Sequence, residues 1–146
     1  MPLRERRALI LDQEESNRML LEYAMAMGRI DFDEADNARS LLELWKPGDY
    51  LFAFLNTEIR DMDGLSLVSR MRREDPNIAI VICSANDDPL YISAAVGAGC
   101  DMYLIKPYSL DMLMTLMKIL DADNLRSASS VLIIDDQQRP RWEMRS

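Results

Sequence analysis

The chain has 146 residues and a net charge of −8, enough for one domain with a core and the wrong sign for a partner that is a nucleic-acid backbone. It contains no histidine, which excludes histidine acid–base chemistry and histidine metal sites. Its two cysteines, Cys83 and Cys100, form no CxxC pair and read as small buried apolar residues. No apolar run nears the roughly 20 residues that span a bilayer, and the apolar stretch after the basic N-terminus is too short for a signal peptide, so a cytoplasmic protein is expected.

In chain order, Ala8–Leu11 is a short apolar strand that stops at Asp12. A helix follows, with Ser16 or Asn17 as its expected cap and Gly28 as its end. Arg29–Ala35 alternates Ile30 and Phe32 with acids, as a strand exposed on one side does. A short helix over Asn37–Trp45 carries Leu41, Leu42 and Trp45 and is stopped by Pro47-Gly48. Tyr50–Leu55 is an apolar run that ends abruptly at Asn56, and the loop after it is acidic and closes on Gly64. Gly64–Arg73 is helical, with Leu65, Val68 and Met71 or Arg72 on one face. Ile78–Cys83 is a continuous β-branched run, the pattern of a strand buried on both faces, and Ser84 follows it. A helix starts at Pro89, with Gly97 and Gly99 expected to break it. Met102–Ile105 is a fifth strand, followed at once by Lys106-Pro107, and Leu110–Leu120 is the fifth helix. Three arginine clusters (Arg4, Arg6, Arg7; Arg70, Arg72, Arg73; Arg139, Arg141, Arg145) read as solvated surface.

Strand and helix alternate five times, which implies a parallel sheet covered by helices on both faces. The fold class is α/β, a five-stranded doubly wound parallel sheet of the flavodoxin-like order 2-1-3-4-5. In that topology the carboxyl ends of strands 1, 3, 4 and 5 come together. Asp12, Gln13, Asn56, Ser84 and Lys106, all at or just beyond strand ends, should therefore share one pocket.

The blocks LDQEESNRMLL, YLFAFLNTEIRDMDG, VICSA and GAGCDMYLIKP resemble the response-regulator receiver domain in order and spacing over residues 6–121. The resemblance implies an aspartate nucleophile at the end of strand 3, held with Mg²⁺ by acids after strand 1 and by a backbone carbonyl. It also implies a hydroxyl after strand 4, and a lysine before a cis proline, that contact the phosphoryl group. On this chain the nucleophile position is Asn56 and the acid pair becomes Asp12 and Gln13. The carbonyl belongs to Glu58, the hydroxyl is Ser84, the lysine is Lys106 and the switch aromatic is Tyr103. Ile59-Arg60 stands where the family usually has Met-Pro.

Two of these differences alter the chemistry. An aspartyl phosphate needs a charged carboxylate oxygen, and an amide oxygen is a poor nucleophile. Mg²⁺ favours hard anionic oxygens, and of the acid positions only Asp12 is still a carboxylate. Asp12 and Lys106 are expected to pair directly, with Gln13 and Asn56 filling the remaining hydrogen bonds. No cofactor and no metal are expected, Asp12 and Glu58 being the weak candidates for one. The expected function is a two-component regulatory module that does not accept phosphate at the usual position and acts through protein contact. The alternatives are a phosphorylation-competent receiver using Asp61 or Asp63 as acceptor, and a small-ligand binder using the pocket.

On the fifth helix the apolar residues cover an arc of about 220°, where a surface helix needs little more than about 100° to face its core. Something is expected to cover the excess: the chain's own C-terminal segment, a second subunit or a signalling partner. Met112, Leu116, Ile119 and Trp142 are the expected contact residues, on the face formed by the fourth helix, fifth strand and fifth helix that the resemblance also marks. The expected domains are 1–123, a linker over 124–130, and a tail over 131–146. In the tail, Val131–Ile134 and Arg141–Met144 read as a β-hairpin or the start of a further domain. The hairpin is expected to dock on the fifth helix or on another subunit's edge strand.

Overall fold

The computed structural model describes residues 7–122, 130–135 and 141–144. Its elements in chain order are β1 (Arg7–Leu11), α1 (Glu15–Met27), β2 (Asp31–Ala35), α2 (Ala38–Leu44), β3 (Phe52–Leu55) and α3 (Gly64–Glu74). They continue with β4 (Ala79–Ser84), α4 (Pro89–Ala98), β5 (Met102–Ile105), α5 (Leu110–Ala122), β6 (Ser130–Ile134) and β7 (Arg141–Met144). One sheet has the order β2-β1-β3-β4-β5-β6-β7. Every pairing in it is parallel except that of β7 with β6. The order 2-1-3-4-5 is as expected, and β6 adds a sixth parallel strand on the β5 side.

Successive side chains on a strand point to opposite faces, and here both faces are core. Leu9, Leu11, Ala53, Leu55, Ile80, Ile82, Tyr103 and Ile105 pack toward α2, α3 and α4. Ala8, Ile10, Phe52, Phe54, Val81, Met102 and Leu104 pack toward α1 and α5. This two-sided burial is why the strands read as unbroken apolar runs. β2 is the exception, an outer strand whose Asp31 and Glu34 are exposed.

The C-terminal segment departs from expectation. Its backbone extends the sheet: β6 pairs with β5 of its own chain, Tyr103 opposite Ile133, while its side chains also reach the half-core of the fifth helix. Val131 and Ile133 enter one half of the core, and Leu132 and Ile134 enter the other. β5 is wholly buried, and an apolar strand left at an open edge is a hazard that β6 removes. The wider sheet also accounts for the wide apolar arc of α5. Leu113, Leu116, Met117 and Leu120 are buried in the half-core that holds Leu132 and Ile134, and Met112, Met114 and Ile119 pack partly against it. Leu116 is 0% exposed and offers no surface to a partner, contrary to expectation. Trp142 stands opposite Leu132 in register, but its side chain lies outside the described residues, as do residues 124–129 of the expected linker, whose last residue, Ser130, opens β6, and the hairpin's turn over 136–140.

Two helix boundaries also differ from the sequence reading. α1 starts at Glu15, ahead of Ser16 and Asn17, because Asp12 Oδ1 accepts a bond from the Glu14 amide at 2.9 Å and turns the chain early. α4 continues through Gly97 and ends only at Gly99, whose φ of +112° is left-handed.

Candidate functional site

Register brings the strand ends into one row. Leu11 lies opposite Leu55, Leu55 opposite Ile82, and Ser84 opposite Ile105. The next residues, Asp12, Asn56 and Lys106, therefore meet at the carboxyl edge. Asp12, Asn56 and Ser84 are buried. Asp12 Oδ2 is 3.0 Å from Lys106 Nζ, and that ammonium also donates to Glu14 Oε1 at 3.1 Å. Burial alone would lower the pKa of Lys106, but the hydrogen bonds and charges of Asp12 and Glu14 outweigh it and hold the ammonium above its ordinary value. The Lys106–Pro107 peptide is cis.

Amides complete the pocket. Asn56 Nδ2 points to Asp12 Oδ1 at 3.5 Å, the outer limit of a hydrogen bond, while Asn56 Oδ1 accepts from the Glu58 amide at 3.0 Å. Gln13 Nε2 donates to the Glu58 carbonyl at 2.8 Å. A carboxylate at position 13 has no hydrogen to give and could not make that bond. The Mg²⁺ that the resemblance implies would thus meet one carboxylate already paired with an ammonium, two amide side chains, and a carbonyl already bonded. That donor set does not match a hard divalent cation. Among the described residues, no three His, Cys, Asp or Glu side chains cluster as a metal site.

The acids of the loop after β3 are each committed elsewhere. Asp61 accepts from the Ala38 and Arg39 amides, both at 3.0 Å, capping α2, and those bonds, Arg39's first, hold its carboxyl below the usual range. Asp63 caps α3, accepting from the Ser66 amide at 3.1 Å and the Ser66 hydroxyl at 2.6 Å. The Glu58 carboxylate reaches across to β4: its Oε1 accepts from Ser84 Oγ at 2.7 Å and from the Ala85 amide at 3.0 Å. The loop returns tightly, because a Cβ on Gly64 would come within 2.6 Å of Thr57 Cα, so only glycine fits where α3 begins. Ile59 packs against the core beside it.

Tyr103 is 0% exposed, and its hydroxyl donates to the Asn86 carbonyl at 2.6 Å. Burial drives its phenol pKa well up. Cys83 and Cys100 are free and buried, as read. Burial, then the Asp12 charge, push the Cys83 thiol up to about 12, which leaves it unreactive.

The sequence reading missed three features. The first is the carboxylate of Glu58, considered only for its backbone. The second is Arg72, assigned to solvated surface but in fact 2.6 Å from the fully buried Asp101. The third is a stripe on α1, where Met19 (59% exposed), Tyr23 (57%) and Met27 (54%) recur every fourth residue. Residues four apart share a helix face, so that signal is present in the sequence.

The response regulator receiver domain model matches residues 8–118, and the chain belongs to that family. It is similar to the chemotaxis protein CheY of Thermotoga maritima, 26% identical over 104 residues, covering 70% of this chain and 87% of that protein. It is also similar to the transcriptional regulatory protein SrrA of Staphylococcus aureus, 27% identical over 101 residues, covering 69% of this chain but only 42% of that longer protein. A two-component response regulator from Clostridium difficile superposes with a TM-score of 0.71 at 27% identity, covering 78% of this chain and 93% of that one. A response regulator from Thermotoga maritima gives 0.73 at 21% identity, covering 83% and 100%, a likeness of fold alone. Receiver domains are signalling modules that work by contact with other proteins. No helix among the described residues is long and apolar enough to cross a membrane.

Proposed function

We propose that this receiver transmits its signal by protein contact, in the cytoplasm, without taking phosphate at position 56. The observation that carries this reading is the state of Asn56: it is buried, neutral, and its side-chain oxygen already accepts the Glu58 amide. A phosphoryl group would have to be taken up by an amide oxygen with no charge to donate, in a pocket whose lysine is paired with Asp12. Nothing favours Asp61 or Asp63 as the acceptor, since each carboxylate caps a helix.

The partner, a second copy or another signalling protein, is assigned to the helical surfaces and not to the backbone of β5, which β6 covers. Met112 and Ile119 remain partly accessible on α5, Leu90 is 80% exposed on α4, and the α1 stripe adds the other large exposed apolar side chains among the described residues. The C-terminal segment enters this reading as a hairpin that widens the sheet beneath α5. Incubation with a small phosphodonor and Mg²⁺, followed by intact-mass measurement, tests the reading. No adduct is expected, and a stable gain of about 80 Da, one phosphoryl group, would overturn it.

A further inference from the structure

The loop from β4 to α4 starts with two groups that converge on one point, the Ser84 hydroxyl and the Ala85 amide. Both donate to a single atom, Glu58 Oε1, at 2.7 and 3.0 Å. Two donors aimed at one anionic oxygen form a small anion subsite, and charge-assisted bonds of this kind are stronger than neutral ones. Ser84 is 0% exposed, so its hydroxyl is held in place, whereas Glu58 is exposed and reaches the subsite from the solvent side.

The bonds continue inward from there. Ser84 Oγ accepts from the Asn86 amide at 3.0 Å, and the Asn86 carbonyl accepts from the Tyr103 hydroxyl at 2.6 Å. Asn86 Oδ1 in turn accepts from the Asp88 amide at 3.0 Å, and Asp88 caps α4 by accepting from Leu90 at 3.0 Å. One chain of bonds therefore joins the Glu58 carboxylate to the start of α4 and to the buried ring of Tyr103.

We infer that Glu58 is the resident ligand of a carboxylate-binding subsite made by the Ser84 hydroxyl and the Ala85 amide, and that its carboxylate holds the β4–α4 loop and Tyr103 in one arrangement without any added group. This rests on the reading that position 56 takes no phosphate, and it supplies what sets the state of the loop in its place. The ligand class is a carboxylate supplied in cis, and a free carboxylate of acetate size should fit once the side chain is removed.

The test is amide exchange of Ala85 and Asn86, followed by NMR on the full chain. In Glu58→Ala, exchange at the Ala85 amide should rise by about tenfold or more, the effect of losing a hydrogen bond to a charged acceptor, and exchange at the Asn86 amide, whose acceptor Ser84 Oγ loses its own anchor, should rise by less. Sodium acetate should slow it again, while sodium chloride at equal concentration should not. Glu58→Gln, which keeps an acceptor oxygen, should fall in between. Adding Ser84→Ala to Glu58→Ala should abolish the acetate effect. Unchanged exchange in Glu58→Ala would overturn the inference. So would faster exchange that acetate fails to slow, because the loop would then be held by its backbone. Either failure leaves the phosphodonor result untouched, and an adduct there would leave the exchange result untouched.

Discussion

The sheet carries a buried ion pair at each end, and the two are built differently. At the amino edge, Arg72 fixes the end of α3 to the starts of β4 and β5. Its Nε donates to the Gly99 carbonyl at 2.9 Å and one terminal nitrogen to the Ile78 carbonyl at 2.8 Å. The other meets Asp101 at 2.6 Å, and Asp101 also accepts from the Ile80 amide at 2.8 Å. A planar guanidinium with fixed donors can saturate such a site. At the carboxyl edge, Lys106 is a single point charge shared between Asp12 and Glu14, and Asn56 reaches Asp12 only at 3.5 Å. The amino edge is a closed structural joint. The carboxyl edge keeps the outline of a working site, with amides where charge would be needed.

Breaking the amino-edge pair should therefore have the largest effect. Asp101→Ala leaves a buried guanidinium and a strand amide without their acceptor and should cost about 3–5 kcal/mol in urea unfolding. A loss no greater than that of the carboxyl-edge variant would break the comparison. Asp12→Ala should cost less, about 1–2 kcal/mol, because Lys106 keeps a second carboxylate, that of the exposed Glu14.

The pH dependence separates the ends further. At the amino edge, Tyr50 donates to Asp33 at 2.8 Å beside Arg7. Burial and then Asp33 push Tyr50 from 10.0 to about 12. A folded-state value raised above the unfolded one gives stability that is complete below pH 10 and lost as pH rises toward 12, on the order of 1 kcal/mol for this group. Lys106 has the same sign, with its contribution lost as pH climbs past 10.5. Asp33 has the opposite sign. Its burial would raise it, but the hydrogen bonds from Arg7 and Tyr50 prevail, so its contribution is present above pH 3.8 and lost as pH falls through its lowered folded value. In melting temperature against pH, Tyr50→Phe should flatten the fall between pH 10 and 12, and Asp33→Asn the fall on the acid side.

The strands were legible because two-sided burial writes itself as runs such as Ile78–Cys83. The site positions were legible because a doubly wound topology gathers strand ends. What escaped reading depends on distances between elements. Arg72 falls four residues after Val68, on the apolar face of its helix, but that spacing does not name its partner, and Asp101 lies 29 residues away. Glu58 and Ser84 are 26 residues apart, and no spacing rule joins them. Leu116 was assigned to a surface because a helical arc reports how much of a helix is apolar and not how wide the sheet beneath it is.

The smallest effect is expected where the carboxyl edge is returned to a charged state. Asn56→Asp sets a second carboxylate at the position that now lies 3.5 Å from Asp12, with one lysine to serve both, and like charges so placed oppose each other. The variant also keeps an oxygen for the Glu58 amide, so the fold should hold and the loss should be modest, about 0.5–1 kcal/mol at low salt. Mg²⁺ should then distinguish the two proteins. A cation that binds only the folded state stabilises it in proportion to the logarithm of its excess over Kd. Millimolar Mg²⁺ should therefore raise the melting temperature of Asn56→Asp, further still with Gln13→Glu added, and leave the wild type where it is. Equal stabilisation of the wild type would mean that Asp12 and the Glu58 carbonyl hold the ion despite Lys106 and Gln13, and the carboxyl edge would then be a working cation site like those its charged relatives would need.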